Sequence, residues 1–195
     1  MGDRLRRIAE IGSSTLEELT AYLSGAARDA TYSRRHHTWR LSQNNEEWLA
    51  DVKTILDRLD ATGWIYRESQ RSVWTLETTF DLAPFSYPQS SRTRRAFARG
   101  YFDAEGGVPR GATARFYVQF CQKNLADLSV LHTSLEKEGV FCGRMHNPSI
   151  RVDPDYWRFF VRAGSHHAFM TKVSSWHPIK RLIIEGRLQY SMIKS

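Results

Sequence analysis

The alternation of apolar and polar residues divides the first 80 residues into helices and extended segments. A capping-box pattern in Ser14-Thr15-Leu16-Glu17 predicts the start of a helix that continues through LEELTAYLSGAARDA. The segment TYSRRHHTWRLSQ is then expected to be extended and hairpin-like. Apolar residues at helical spacing in NEEWLADVKTILDRLDATG predict a second helix that ends at Gly63. A strand, a turn and another strand follow in WIYRESQRSVWTLET, so the predicted order is α-β-β-α-β-β.

The second half of the chain repeats this order. Ser90 or Ser91 is expected to cap a helix through RRAFARGYFDAEGG. Alternation predicts strand character in ARFYVQFCQ, and NLADLSVLHTSLEKEG is expected to form a helix that ends at Gly139. The segment VFCGRMHNPSIRVDPDYWRFFVRA is expected to form the second strand pair, with Trp157, Phe159 and Val161 alternating against Arg158 and Arg162. The tail from GSHHAF onward is expected to add C-terminal helices.

Direct matches between the halves indicate an internal duplication. The segments LSQNNEEWL and FCQKNLADL pair Gln43 with Gln122, and LDRLDATGW and HTSLEKEGV pair Gly63 with Gly139. The spacing within the two pairs differs by three residues (43 to 63, and 122 to 139), close to one helical turn of ~3.6 residues. The predicted fold class is therefore α+β, with two pseudo-symmetric α-β-β-α-β-β repeats and extra C-terminal helices.

A segment rich in proline and serine separates the repeats. We expect a first repeat at 13–80, a linker at 81–91, and a second repeat with the C-terminal helices at 92–195.

Charge and composition favour a polyanionic partner. The net charge is +7, aromatic residues make up 12%, and arginines cluster in DRLRR, SRRHH and SSRTRRAFARG. This combination is typical of nucleic-acid binding, although an ordinary basic protein remains the alternative. The two cysteines lack zinc-type spacing and are interpreted as free thiols of an intracellular protein. Because no membrane span or signal peptide is recognisable, we expect a cytoplasmic protein.

Small residues line one face of each repeat's first helix. They are Ala96, Gly100 and Ala104 in the second repeat, and Ala21 and Gly25 in the first. Such a stripe lets two helices approach closely, so these two helices are expected to pack together with their C-terminal ends side by side. Acidic side chains at those ends would then converge.

The segment ARGYFDAEG, with the motif glycine at Gly100, resembles the LAGLIDADG motif of homing endonucleases. Asp103 and Ala104 follow the motif, and Glu105 takes the position of the metal-binding acid. The resemblance implies a saddle of two antiparallel sheets over double-stranded DNA, whose strands read bases in the major groove. It further implies an intron-encoded, monomeric and site-specific DNA endonuclease, in which one acid per motif helix binds a divalent metal, usually Mg²⁺.

The first motif, YLSGAARDA, departs from this pattern. Aligning Gly25 with the motif glycine places Ala30 at the acid position and Asp29 one residue early, about 100° away around an α-helix. Either Asp29 is the second metal-binding acid in a shifted register, or the first site is lost. The second alternative predicts a nicking enzyme or a catalytically inactive DNA- or RNA-binding protein, such as a regulator or maturase.

Other residues are assigned by the resemblance or by their strands. Gln43 and Gln122 match polar positions near the cleavage pocket, and Lys180 resembles the basic residue of that pocket, with Arg181 as its alternative. Arginine suits guanine, glutamine suits adenine, and basic side chains hold phosphates. The candidate DNA-binding residues are Arg34, Arg35, His37, Arg40, Arg67, Gln70, Arg71, Arg110, Arg115, Tyr117, Gln119, Arg144, His146 and Arg151.

Two other nucleic-acid-binding classes fit less well. The segment LDRLDATGWIYRESQRSVWTLET has the layout of a recognition helix and wing, but the matching order in the second half argues against a winged-helix domain. The segment RMHNPSI resembles HNH nucleases only superficially, because the paired histidine and zinc-ligand context are missing.

Overall fold

The computed structural model describes residues 2–68, 72–82, 87–111 and 113–193. Its helices are α1 (Gly2–Ser13), α2 (Leu16–Ala26), α3 (Glu46–Arg58), α4 (Ser91–Glu105), α5 (Leu125–Lys137), α6 (His166–Lys172) and α7 (Pro178–Ile193), with 3-10 turns at Ala27–Asp29 and Ala163–Ser165. Its strands are β1 (Thr31–Ser33), β2 (Thr38–Gln43), β3 (Gly63–Arg67), β4 (Trp74–Thr78), β5 (Gln119–Gln122) and β6 (Trp157–Phe160). Across these ranges, the helices all lack the length and apolar character that a membrane span requires.

The strands form two antiparallel sheets. The first has the order β1-β2-β4-β3. The second contains β5 and β6, and isolated bridges extend it from Gly107 to Gln119 and from Cys142 to Val161. Both halves therefore place their extended segments in the same order, which confirms the α+β class with antiparallel sheets. Since β3 and β4 pair within a four-stranded sheet, they do not form the wing of a winged-helix domain.

The motif helices α2 and α4 pack against each other at the centre of the molecule. Gly25 lies so close to α4 that a Cβ atom would overlap the carbonyl oxygen of Phe97, and a Cβ atom at Gly100 would overlap the carbonyl oxygen of Tyr22. Phe97 lies three residues before Gly100, and Tyr22 lies three residues before Gly25. The two glycines therefore occupy equivalent positions in the two motif helices. The glycine register used to align the two motifs is therefore present in the structure.

A separate hydrophobic cluster packs beneath each sheet. Below the first sheet, α3 buries Trp48 and Ile55 against Leu76 of β4. Below the second, Phe120 of β5 and Phe159 of β6 stack with ring centroids 5.2 Å apart. The helices thus cover one face of each sheet and leave the other face available.

The capping box of α2 lies one residue later than predicted. The Thr15 hydroxyl accepts a hydrogen bond from the Glu18 amide, and the Glu18 carboxylate accepts one from the Thr15 amide. The box therefore pairs Thr15 with Glu18, and α2 begins at Leu16. At the second motif helix, Ser90 is the N-cap.

The prediction that Gly63 ends α3 is wrong, because Gly63 begins β3. The helix ends at Arg58, and Asp60, two residues later, adopts the left-handed conformation with φ 53°. The amide of Ala61 then donates to the carbonyl oxygen of Leu56 at 2.9 Å. An aspartate tolerates this conformation better than most residues, so no glycine is required there.

The corrected helix end removes the spacing difference between the repeats. Gly139 is the left-handed residue after α5, with φ 72°, and the same backbone hydrogen bond follows it. Asp60 follows Gln43 by 17 positions (43 to 60), and Gly139 follows Gln122 by 17 (122 to 139). The duplicated units therefore have equal length from the glutamine to the helix end.

Helix α1 precedes the predicted first repeat and uses part of the basic N-terminal cluster internally. Arg7 is buried, and its guanidinium forms ion pairs with Asp3, Glu47 and Asp51. This arginine therefore fastens α1 to α3 and is unavailable to a nucleic acid.

Candidate functional site

The C-terminal ends of the two motif helices bring Asp29 and Glu105 together. Burial, together with the charge of the neighbouring Asp29 carboxyl and a hydrogen bond between the two groups, raises the pKa of Glu105 to about 7. A hydrogen bond between two carboxyl groups requires that one of them holds a proton. Glu105 therefore holds that proton below about pH 7.

A 3-10 turn explains how Asp29 reaches Glu105 from a shifted position. A 3-10 helix rises about 2.0 Å per residue and an α-helix about 1.5 Å. The three residues Ala27–Asp29 thus advance about 6 Å, as do the four α-helical residues from Phe102 to Glu105. Their rotations, about 360° and 400°, differ by only about 40°. Ala30 has already left the helix, with φ −79° and ψ 142°. Of the two alternatives left by the sequence, the structure shows the convergence of Asp29 with Glu105.

The two predicted glutamines lie beside the same helix ends. The Gln43 amide donates to the Asp29 carboxylate at 3.4 Å, from the end of β2. The Gln122 amide donates to the carbonyl oxygen of Arg28 at 3.3 Å, from the end of β5. Each sheet therefore contributes one glutamine to the region around Asp29.

Lys180 of α7 lies at the C-terminal end of α4. Its ammonium group donates to the carbonyl oxygens of Phe102 and Asp103 at 2.7 and 2.8 Å. Burial lowers the pKa of Lys180 to about 8, although the charges of Asp103 and Glu105 favour its protonated form. The lysine therefore faces the paired carboxyls as a cation at neutral pH.

Arg181, the alternative to Lys180, points elsewhere. Its guanidinium donates twice to the Glu10 carboxylate, at 2.8 and 2.9 Å, and once to Glu185. These ion pairs hold α7 against α1. The structure therefore selects Lys180 as the basic residue near the motif ends.

Asp103, the other acid of the second motif, is buried and forms hydrogen bonds only inside the described part of the protein. Its buried carboxylate accepts hydrogen bonds from the Tyr22 hydroxyl at 2.7 Å, the Trp176 amide at 2.9 Å and the Ser175 hydroxyl. Burial raises the pKa of Asp103, and its donors oppose that rise. The Tyr22 hydroxyl also accepts from the indole of Trp48 at 2.8 Å. Asp103 thereby fixes the segment that leads into α7, the helix that carries the lysine.

The predicted DNA-binding residues of the first half lie on or beside the first sheet. Arg34, Arg35 and His37 occupy the exposed turn between β1 and β2, Arg40 lies in β2, and Arg67 ends β3 beside Trp74. The predicted Gln70 and Arg71 fall outside the described residues.

Arg40 shares the open face of this sheet with a buried acid. Its guanidinium donates to Glu77 at 3.2 Å, and the same carboxylate accepts hydrogen bonds from Thr38 and, at 2.9 Å, from Tyr66. Burial alone would raise the pKa of Glu77, but these donors lower it overall. Glu77 therefore stays ionised and orients Arg40 on this face.

In the second half, the predicted residues surround the open face of the second sheet. Gln119 lies in β5, Tyr117 precedes it, His146 bridges to β6, and Arg110, Arg115, Arg144 and Arg151 are exposed in the connecting segments. Tyr117 and His146 both pack on the ring of Phe160, with centroids 5.9 and 6.3 Å away.

Sequence reasoning omitted Arg158 from this face. Its guanidinium lies 5.4 Å from the centre of the Phe160 ring and donates to the His146 imidazole at 3.2 Å. The alternation of residues in β6 already indicated an outward position for Arg158. This pattern was sufficient to place Arg158 among the candidate DNA-binding residues.

The cysteines are free thiols, as predicted, but Cys142 belongs to a separate polar cluster. The ligand atoms of His132, Glu136 and Cys142 lie within 4.8 Å of one another. Internal hydrogen bonds already use the cluster: His132 contacts the Gly143 carbonyl oxygen at 3.1 Å, and the Cys142 amide donates to Glu136 at 2.7 Å. These contacts fasten the segment after α5 and lie apart from the motif ends.

Solved structures with the same architecture are found at low sequence identity. The homing endonuclease I-DmoI, in a complex with DNA and Mn, is 17% identical with a TM-score of 0.62, over 82% of this chain and 97% of I-DmoI. The N-terminal LAGLIDADG domain of DUF199/WhiA is 11% identical with a TM-score of 0.68, over 86% of this chain and 88% of that domain. Full-length DUF199/WhiA from Thermatoga maritima is 10% identical with a TM-score of 0.69, over 93% of this chain and 65% of its own length.

No family model matches the sequence, and no curated protein sequence matches it. The assignment therefore rests on the architecture and the motif helices. The chain has the LAGLIDADG fold, which confirms the fold resemblance first indicated by ARGYFDAEG.

Proposed function

We propose that this protein is a monomeric, site-specific DNA endonuclease that hydrolyses phosphodiester bonds with a divalent metal, most simply Mg²⁺. The observation that carries the proposal is the contact between Asp29 and Glu105 at the ends of the paired motif helices. It places two acids between the edges of two sheets whose open faces carry arginine, glutamine and aromatic side chains.

The donor atoms at the helix ends suit a divalent cation. Two carboxyl groups supply the hard oxygen ligands that Mg²⁺ prefers. Their mutual contact is unfavourable when both are ionised, so a cation bound by the two groups would displace the proton from Glu105. Asp29 and Glu105 are the residues that would hold the metal. When bound, the metal supplies Lewis-acid stabilisation of the negative charge that develops on the scissile phosphate.

The remaining groups have supporting roles in this proposal. Lys180, which lies at the C-terminal end of α4, offers a positive charge to the phosphate. Gln43 holds the Asp29 carboxylate, and Gln122 holds the Arg28 carbonyl next to it. Together they keep the 3-10 turn in the conformation that presents Asp29 to Glu105.

Double-stranded DNA is the proposed partner of the two open sheet faces. Arg40 and Arg158 lie on strands of different sheets, and both are oriented by a neighbouring side chain. Fixed guanidinium groups are suited to the bidentate contact with guanine. The solved I-DmoI structures with DNA and with Mn or Ca support this proposal by analogy of fold.

One observation favours a second candidate, a nicking or binding-only protein. The two motif ends are not equivalent, because Glu105 ends an α-helix whereas Asp29 lies on an exposed 3-10 turn. The two strands of a DNA target would therefore meet differently supported acids. Unequal strand cleavage, or binding without cleavage, is the corresponding expectation.

The decisive experiment begins with selection of cleaved or bound sites from a randomised DNA library. A supercoiled plasmid carrying the selected site is then incubated with the protein and Mg²⁺. Linear product supports two working strand cuts, open circles support a nicking enzyme, and intact plasmid with a gel shift supports binding alone. EDTA and a Glu105→Gln variant are the matched controls, and cleavage that survives either one contradicts the proposed site.

A further inference from the structure

A basic pocket lies at the end of the motif helices opposite to Asp29 and Glu105. It has a volume of about 270 Å³, and its cationic lining residues are Arg92, Arg95, Arg99 and Lys172. Along α4, the residues that line the pocket lie from about 9 Å (Arg99) to about 20 Å (Arg92) before Glu105. The pocket is therefore distinct from the site of the proposed DNA cleavage.

The first turn of α4 has a charge pattern that is unfavourable without an anion. It contains no acidic residue but carries Arg92 and Arg94, followed by Arg95. Cations near a helix N-terminus are repelled by the positive end of the helix dipole. Glu138 compensates two of them, since it pairs with Arg94 at 2.8 Å and with Arg95 at 2.7 Å. Arg92 is exposed and makes no ion pair or hydrogen bond within the described part of the chain.

Arg99 directs unused donors into the same pocket. Its Nε donates to the carbonyl oxygen of Val173 at 2.6 Å, and its guanidinium lies 4.6 Å from the centre of the Trp176 ring. Its terminal nitrogens have no hydrogen-bond partner among the described residues. Burial lowers the pKa of this arginine, although the charges of Asp103 and Glu10 favour its protonated form.

One acidic residue, Glu18, lines the pocket and belongs to the capping box of α2. The Glu18 carboxylate accepts the Thr15 amide hydrogen of its capping box. Lys172 donates to the carbonyl oxygen of Glu138 at 2.7 Å, a contact that leaves its positive charge in place. Because α2 and α4 run parallel, the positive ends of both helices also point toward this region. Three cationic side chains that make no ion pair among the described residues, Arg92, Arg99 and Lys172, therefore line the cavity and outnumber its single carboxylate, Glu18.

We propose that this pocket binds a phosphate group, held chiefly by Arg92, Arg99 and Lys172. Guanidinium groups match the oxygens of a phosphate in bidentate geometry, and lysine adds a point charge. The cavity is large enough for a phosphate together with part of the molecule that carries it. The ligand is thus a phosphate-bearing molecule, bound independently of DNA at the motif ends.

The test is a titration of the full chain with inorganic phosphate, at an ionic strength kept constant with chloride. Binding is followed through the NMR signals of the arginine Nε–H groups and the tryptophan indoles. We expect saturable shifts at Arg92, Arg99 and Trp176, and at least a fivefold weaker affinity in Arg92→Gln. Arg4→Gln is the matched control, since Arg4 is also an exposed arginine near a helix start, on α1.

Two results overturn the proposal: shifts that never saturate, or an affinity that is the same in Arg92→Gln and in the parent protein. If Arg92→Gln does not fold, Lys172→Gln is the second variant. It is expected to weaken phosphate binding by a similar factor. A dinucleotide with a 5′-phosphate, compared with the unphosphorylated dinucleotide, tells a terminal phosphate from a backbone diester. DNA binding by Arg92→Gln is expected to be unchanged, so failure of this proposal is separate from failure of the proposed function.

Discussion

Asp29 contacts Glu105 although the two carboxylates occupy non-equivalent positions of the two motif helices. Gly25 and Gly100 fix the register, in which Ala30 and Glu105 correspond. The 3-10 turn shortens the first helix end by one residue and so brings Asp29 to the place where Ala30 was expected. A change of helix type therefore compensates for a shifted acid.

The register can be tested by moving the acid. Asp29→Asn is expected to reduce cleavage of at least one DNA strand by 100-fold or more, because it removes a proposed metal ligand. The double change Asp29→Ala with Ala30→Asp is expected not to restore it, since residue 30 has extended backbone outside the turn. Strand-specific end labels on the selected target measure both effects. Full activity of the double variant would contradict the role given to the 3-10 turn.

Metal affinity is expected to rise with pH through neutrality. The pKa of Glu105 is about 7, so protons compete with the metal below that pH and lose the competition above it. Calorimetric titration with Mg²⁺ or Mn²⁺ between pH 6 and pH 8 measures this change. In Glu105→Gln, binding is expected to be weak throughout the range, and an unchanged affinity there would remove Glu105 from the site.

The metal-free protein is expected to become more stable when Glu105 is replaced by glutamine. The folded state holds the Glu105 proton more tightly than an exposed glutamate does, because its pKa is about 7 compared with 4.5. The free energy of unfolding therefore falls as pH rises from about 4.5 to 7. At pH 8, Glu105→Gln should gain about 1–3 kcal/mol in urea unfolding, and at pH 4 the two proteins should be equally stable. If Glu105→Gln raised the free energy of unfolding equally at pH 4 and pH 8, the stabilisation would not come from the shifted pKa of Glu105.

Close packing of the motif helices predicts a severe effect of Gly100→Ala. The new methyl group would overlap the Tyr22 carbonyl on α2, and backbone atoms on both sides cannot move independently. We expect a loss of about 3 kcal/mol or more in the free energy of unfolding. Gly186→Ala is the control, because Gly186 lies in α7 with open space around it and should gain about 0.5–1 kcal/mol. Thermal or urea unfolding compares the two variants.

Asp103→Asn is expected to affect stability and the position of Lys180 together. The amide keeps one acceptor oxygen but replaces the other with an NH2 group, which would face at least one of the Tyr22, Ser175 and Trp176 donors. A cost of about 2–4 kcal/mol is expected for leaving buried donors unpaired. Cleavage should fall as the start of α7 loosens, whereas Ser175→Ala, which removes a single donor, should have a smaller effect. Urea unfolding and the plasmid assay are the two measurements.

Much of this architecture follows from local sequence patterns. The small residues around Gly25 and Gly100 predicted the helix pair, and the alternation in β5 and β6 predicted the second sheet. The end of α3 was mispredicted because an aspartate replaced the usual glycine at the left-handed position. A single sequence shows which residues favour that conformation, but not which one is placed there by packing on both sides.

The candidate site was only partly accessible from the sequence. Glu105 was identified by its motif, whereas the choice between Lys180 and Arg181 required the ion pairs of Arg181 with α1. The assignment of roles to Asp103 and Glu105 also needed their surroundings, since one is enclosed by donors and the other faces a second carboxyl. Two carboxyl groups of the same motif therefore differ in burial and in hydrogen-bond partners, which the motif alone does not show.

The sequence by itself determined the duplication, the small-residue contact between the motif helices, and the presence of an acid at the end of each. These features are encoded in residue types at fixed local spacing. Only the tertiary structure decided that Asp29 meets Glu105 and that Lys180 faces them, because both depend on how a three-residue turn winds and on how distant helices pack. The physical reason is one of range: helix and strand periodicity are local, whereas the convergence of charges is set by contacts between segments far apart in the chain.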